Sequence, residues 1–157
     1  MISFTYQAAV VASWARARKR GKRHFNDPEH ASAMRIHRAA ANLAKPAGWT
    51  LDGVYEVAVI YARHGGHARD SDRVMNLVCD ALKGTAWKDD SDARVRIGLF
   101  ARLDGDGTLF DVRARGHFRA ARWFPMSAAE SAQLDALPDG HTLVTVTRIG
   151  DGRRSKR

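Results

Sequence analysis

Nine residues near the middle of the chain, Val54 to Ala62 (VYEVAVIYA), leave the rest little freedom. Their length suits a strand, and β-branched and aromatic side chains favour extended backbone. They alternate poorly and are apolar on both faces, which predicts a central strand covered on each side. The strand runs into Arg63-His64-Gly65-Gly66-His67-Ala68-Arg69, a loop by its glycine pair and charges. From Asp72, the residues Val74, Leu77, Val78, Ala81 and Leu82 hold to one helical face as far as Lys83, and Gly84 stops the helix. The expected class is α+β.

Other elements follow from local signals. Residues 3 to 12 (FTYQAAVVAS) read as an N-terminal strand. Between Arg16 and Arg23, six of eight residues are Lys or Arg, interrupted by Gly21, and the segment reads as an exposed loop. Asn26-Asp27-Pro28-Glu29 starts a helix, whose apolar stripe Met34, Ile36, Ala40, Leu43 and Ala44 ends at Lys45-Pro46. Ala93 to Arg102 alternates as a strand with one basic face, and Asp104-Gly105-Asp106-Gly107 turns the chain into a second strand from Thr108 to Arg115. Ser127-Ala128-Ala129-Glu130 is a capping box for a short helix that ends before Pro138-Asp139-Gly140, and His141 to Ile149 is a closing strand. The sum is a β-α-β-α-β-β core with a mixed sheet, plus an extra C-terminal helix and strand. With 157 residues, 45% of them hydrophobic and four tryptophans, the chain supports one buried core over residues 1–150. Residues 151–157 (DGRRSKR) form a basic tail, expected to be disordered alone.

Charge narrows the partners. Lys and Arg number 26 against 17 Asp and Glu, a net charge of +9, which draws the chain to a polyanion, nucleic acid above all. No long basic amphipathic helix, lipidation signal or apolar run near the roughly 20 residues of a membrane span is present, so no membrane partner is expected. The start of the chain lacks the order of a signal peptide, and the expected location is cytoplasmic. Cys79 is the single cysteine and sits among apolar residues, as a small buried hydrophobe does. Gly65-Gly66 lacks the Lys-Ser/Thr of a phosphate loop, which removes a nucleotide cofactor. His64 and His67 lack a second cluster for zinc and read as loop histidines near nucleic acid. Trp14 fits either stacking on an exposed base or packing at the edge of the core.

Against this basic background the chain sets Asp70 and Asp72 before the helix and Asp89 and Asp90 after it. Two carboxylates 4 Å apart repel by roughly 4 kcal/mol at an effective dielectric of about 20, unless a cation lies between them. Mg²⁺ takes one or two carboxylates together with waters and substrate phosphates, which matches this set. Taken singly, each acid also fits a helix cap or a turn.

Asp70-x-Asp72, then Asp80-Ala81-Leu82 within the helix, Trp87, and Asp89-Asp90 leading to a strand resemble the RusA family of Holliday junction resolvases. The resemblance is tight over residues 68 to 95, looser over Met1 to Ala62 and weak from Gly98 onward. It implies a small α+β homodimer, common in phages and prophages, that cuts branched DNA with Mg²⁺, or Mn²⁺ in its place, in recombination and repair. The family's metal-binding acids fall on Asp70, Asp72 and Asp90, with Asp89 beside them, whereas Asp80 matches a helix position without a metal role. Arg69 corresponds to a basic residue beside the acids, and Arg16, Arg18, Lys19, Arg20, Lys22 and Arg23 resemble the family's DNA-contacting N-terminal loop. Arg73 stands where the family has asparagine, and Asn76 where it has a catalytic lysine. Asparagine offers a neutral hydrogen bond in place of a charge, which leaves Lys83, Lys88, Arg73 and Arg69 as candidates to face the scissile phosphate.

The expected function is therefore a metal-dependent, structure-selective endodeoxyribonuclease with Asp70, Asp72, Asp90, Asn76 and Lys88 at its catalytic site. The alternatives are a non-catalytic branched-DNA-binding protein of the same descent and an RNA-directed nuclease or binding domain. The apolar face of the helix from Asp72 to Lys83, or an edge strand, would form the dimer interface.

Overall fold

A computed structural model of the chain describes residues 1–9, 18–20, 23–25, 28–62, 71–88, 97–102, 108–113, 121–125 and 128–151. In chain order the elements are β1 (Ile2–Ala8), β2 (Arg18–Arg20), β3 (Arg23–Phe25), α1 (Pro28–Ala44), β4 (Gly53–Tyr61), α2 (Ser71–Leu82), β5 (Ile97–Arg102), β6 (Thr108–Arg113), β7 (Ala121–Pro125), α3 (Ala128–Asp135) and β8 (Thr142–Asp151). They make a small α+β domain, as the pattern of alternating signals predicts.

The central sheet has the order β1-β8-β4, and β8 is antiparallel to both neighbours. This corrects one expectation. The sheet is antiparallel at every pairing among the described strands, not mixed, because the last strand inserts between two strands that run the same way. Within that three-stranded sheet β8 takes the middle place, while β4 has β8 on one side and β5 alongside it. β4 alternates buried and half-buried residues along Gly53–Val59. Its second apolar face is used near its end, where Ile60 and Ala62 pack with Leu137 and Leu143. β5 comes alongside β4 and continues into a β5-β6-β7 antiparallel meander. The β5–β6 pairing matches expectation over Ile97–Arg102 and Thr108–Arg113, with Arg102 opposite Thr108, while residues 93–96, the expected turn at 104–107 and residues 114–115 lie outside the described residues. β7 was not expected, and β8 continues through Asp151, past the boundary drawn at residue 150.

Both long helices pack on one face of the sheet. α2 buries Val74, Met75, Leu77, Val78, Ala81 and Leu82, while Asn76 and Asp80 stay exposed. The helix therefore spends its apolar face on its own core, leaving none for a dimer. It ends at Gly84, whose φ of 74° places it in the left-handed region that glycine enters without a Cβ penalty. α1 starts at Pro28 and stops before Pro46, as expected, but its core face is rotated from the expected stripe. Ala33, His37 and Ala41 form the buried row, flanked by Ile36, Ala40 and Ala44, and Leu43 is 90% exposed. Ala33 and Ala41 in that row are fully buried. The space between them accepts the His37 ring, whose Nδ1 is hydrogen-bonded to the Tyr6 hydroxyl at 3.0 Å.

An aromatic chain ties the elements together at one end of this core. Phe4 meets Trp49 edge-on at 4.8 Å, Trp49 lies 5.5 Å from Tyr55, and Tyr55 lies 6.1 Å from Trp87. The Trp49 indole N–H donates to the Ala86 carbonyl at 2.9 Å, so the turn after α2 is held against the segment entering β4. Such pairs add roughly 0.5–1.5 kcal/mol each beyond the area they bury.

Candidate nucleic-acid interface and acid cluster

Side-chain contacts fix the relative directions of the elements. Arg38 Nε donates to the Ala81 carbonyl at 2.9 Å and Lys45 Nζ to the Thr85 carbonyl at 3.0 Å, so α1 and α2 run the same way. Trp49 and Thr50 follow α1 and lead into the start of β4, so β4 runs back in the opposite direction. β1 pairs Ala8 with Thr142, which is also opposite Tyr61, so β1 and β4 end together. One pole of the domain thus gathers the N-termini of α1 and α2 and the C-terminal ends of β1 and β4. His141 and Gln7 lie there as well, with the Gln7 amide donating to His141 Nδ1 at 2.8 Å.

The basic segment links the end of β1 to the start of α1, both of which lie at this pole. Its expectation as a plain loop is corrected, because Arg18–Arg20 and Arg23–Phe25 pair as a two-stranded antiparallel ribbon. A Gly-Lys pair between two short strands is the pattern of a two-residue hairpin connection, the signal that the charge run obscured. Phe25 precedes Pro28 by three residues, so the ribbon's end lies within about 11 Å of the α1 N-terminus. Arg16 and Lys22 lie outside the described residues, as do Trp14, His64, His67 and Arg69.

Of the four expected ligands, Asp72 is the second residue of α2 and stands at the same pole. Asp70 immediately precedes α2 but lies outside the described residues, as do Asp89 and Asp90. Among the described residues no three His, Cys, Asp or Glu side chains gather to hold a metal. Position 76 is one turn below position 72 on the same helical stripe, and Asn76 is exposed there. Arg73 is in the first turn of α2, beside Asp72.

Lys83 and Lys88 lie beyond the other end of α2. Lys83 is bridged to Trp87, and the Lys88 amide donates to the Leu51 carbonyl at 3.2 Å, next to the start of β4. Seven residues of helical rise, about 10 Å, separate position 76 from Lys83. The structure thus places Asp72, Arg73 and Asn76 on the N-terminal half of α2 and sets Lys83 and Lys88 beyond its C-terminal end. Among the cations near position 76 along the chain, Arg69 and Arg73 are closer to Asp72 than Lys83 and Lys88 are. Asp89 and Asp90 follow directly on Lys88, so a shared ion requires those residues to return along α2.

Among the described helices none is long and apolar enough to cross a membrane. Comparison with protein-family models and with curated proteins gives no match to this chain.

Proposed function

We propose that the chain is a Mg²⁺-dependent endonuclease acting on four-way junctions or related branched DNA. One observation supports the reading: the basic β2–β3 ribbon is joined to the α1 N-terminus, which shares a pole with the Asp72 end of α2, in a chain of net charge +9. Phosphate-binding cations and metal-binding acids together suit a phosphodiester backbone that passes both.

Asp70 and Asp72 would offer hard oxygen donors of the kind Mg²⁺ takes alongside waters and phosphates, and Asp89 and Asp90 would join them where the segment after Lys88 returns along α2. When bound, the ion activates a water and offsets the charge that builds on the phosphate. The basic residues hold and orient the backbone, and Arg69 or Arg73 meets the charge of the scissile phosphate. Two copies joined along the outer edge of β1, which carries no charged residue from Ile2 to Ala8, would place two such poles on two strands. Sedimentation that yields only monomer at high protein concentration would remove that last element.

The purified protein should cut a four-way junction with Mg²⁺ or Mn²⁺ at low salt. Asp72→Asn should abolish cleavage and spare binding, and Asp90→Asn should be as damaging if it shares the ion. An Asp72→Asn protein that still cuts would falsify the metal assignment.

A second reading has its own observation: Asn76, exposed one turn below Asp72, holds no charge where the resembled family holds a lysine. The protein would then bind branched DNA without turnover. Binding of junctions with no cut strand under any divalent ion selects this reading, and preference for RNA in competition removes both.

A further inference from the structure

The β2–β3 ribbon contains a pairing that works against its own stability. Arg20 lies directly opposite Arg23, Lys19 opposite His24 and Arg18 opposite Phe25. Positions 18, 20, 23 and 25 therefore share one face of the ribbon, and positions 19 and 24 the other. Like charges directly opposite each other destabilise an antiparallel pair. A two-stranded ribbon is already marginal in water, and three residues per strand leave little to offset the repulsion. An anion between the two guanidinium groups removes the repulsion and turns it into attraction.

Directly opposed residues have Cα atoms about 4.5–5.5 Å apart, close enough for two arginines to approach one tetrahedral anion. Guanidinium matches phosphate oxygens in a planar fork, which an ammonium does not. The pair is the last of the ribbon's register, on either side of Gly21 and Lys22 in sequence. A two-stranded ribbon also fits the roughly 12 Å width of the DNA major groove. We propose that Arg20 and Arg23 together clamp a single backbone phosphate of DNA. The clamp rests on the reading of this pole as a DNA-binding face and is independent of whether the acids cut.

Salt dependence of binding separates one shared phosphate from two. The slope of log Kobs against log salt reports phosphates neutralised, at about 0.9 for each on duplex DNA. Binding of a plain duplex is measured in EDTA, so that no cleavage intervenes, for the parent protein, R20Q, R23Q, R20Q/R23Q and R20K/R23K. For a shared phosphate, either single variant binds several-fold more weakly but keeps its slope, because the remaining arginine still neutralises the phosphate. The double variant loses about 0.9 from the slope. R20K/R23K keeps the slope and loses affinity through the missing fork geometry.

A loss of about 0.9 in each single variant and about 1.8 in the double means two separate phosphates and overturns the clamp. An unchanged slope in the double variant, or no DNA binding by the parent, overturns it as well. Thermal melting guards the comparison, since neutralising one arginine removes a repulsion and should not lower the midpoint. Loss of cleavage leaves this result standing, and failure of the slopes in a protein that cuts removes the clamp alone.

Discussion

Gly53 and Gly84 are required for unrelated reasons, and single substitutions distinguish them. At Gly84 an added Cβ meets nothing within 4 Å, but φ is +74°, so alanine is strained by its own backbone. Gly84→Ala should cost about 1 kcal/mol in urea unfolding. At Gly53 a Cβ would lie 2.9 Å from the Tyr55 hydroxyl and 3.0 Å from Arg148 Nε. Arg148 can swing aside, since its partner Asp151 is exposed, but Tyr55 is buried and its hydroxyl donates to the Thr50 carbonyl, so it yields little. Gly53→Ala should therefore cost about 1–3 kcal/mol as overpacking. Tyr6 gives a prediction in pH. Burial, and secondarily Cys79, raise its hydroxyl pKa well above the usual tyrosine range. Above pH ~10 the unfolded chain releases this proton and the folded chain keeps it, so stability falls as pH rises, by about 1.4 kcal/mol per unit from this group. Tyr6→Phe should flatten that alkaline loss while lowering stability near neutrality by about 1–3 kcal/mol, through the hydrogen bond lost to buried His37. Denaturant curves from pH 7 to 11 read both effects, and an unchanged alkaline slope would show that Tyr6 is not the group responsible.

Whole elements differ in how far the sequence reveals them. α2 is legible because its apolar period, its polar stripe and the stop at Gly84 agree. α1 is legible in its ends but not in its face, because small alanines and a buried histidine form its core row where the pattern draws the eye to Leu43. The β2–β3 ribbon is hidden by composition: six residues with five Lys, Arg or His carry no hydrophobic alternation, and only the pairing reveals strands. β7 ends in Pro125 and mixes Arg122 with Trp123 and Phe124, so it lacks a strand's alternation. Of the candidate site, the residue types could be read from spacing, but not their distribution over two ends of α2, which depends on the direction of packing. That distribution makes position 76 the informative one on α2. Asn76 is exposed and Asn and Lys both suit a helix surface, so Asn76→Lys should leave stability within about 0.5 kcal/mol. It should raise junction cleavage at least tenfold if the missing charge limits turnover; unchanged melting together with unchanged cleavage would show that another cation already fills the role.

At the scale of the molecule, the topology polarises a chain that composition alone makes uniformly basic. β1 and β4 run to one pole and both long helices start from it, so the segments that connect them, with the basic ribbon and Asp72, emerge there. At the opposite pole, among the described residues, the Trp49–Ala86 and Lys45–Thr85 hydrogen bonds tie the end of α1 to the turn after α2, and Arg148 of β8 donates to the Asp52 carbonyl at 3.4 Å, just before β4. Long-range attraction to a polyanion acts on the whole net charge and falls with salt, but contact at close range is decided by which end faces the DNA. Lysine modification in the presence and absence of duplex DNA tests that orientation. Lys19 and Lys22, in and beside the ribbon, should become protected by severalfold. Lys83 and Lys88, exposed past the far end of α2, should keep their reactivity. Raising the salt should erase the protection of Lys19 and Lys22 along with binding. Equal protection at both ends would mean that DNA wraps the domain by charge alone, and the polar arrangement of the fold would then carry no functional consequence.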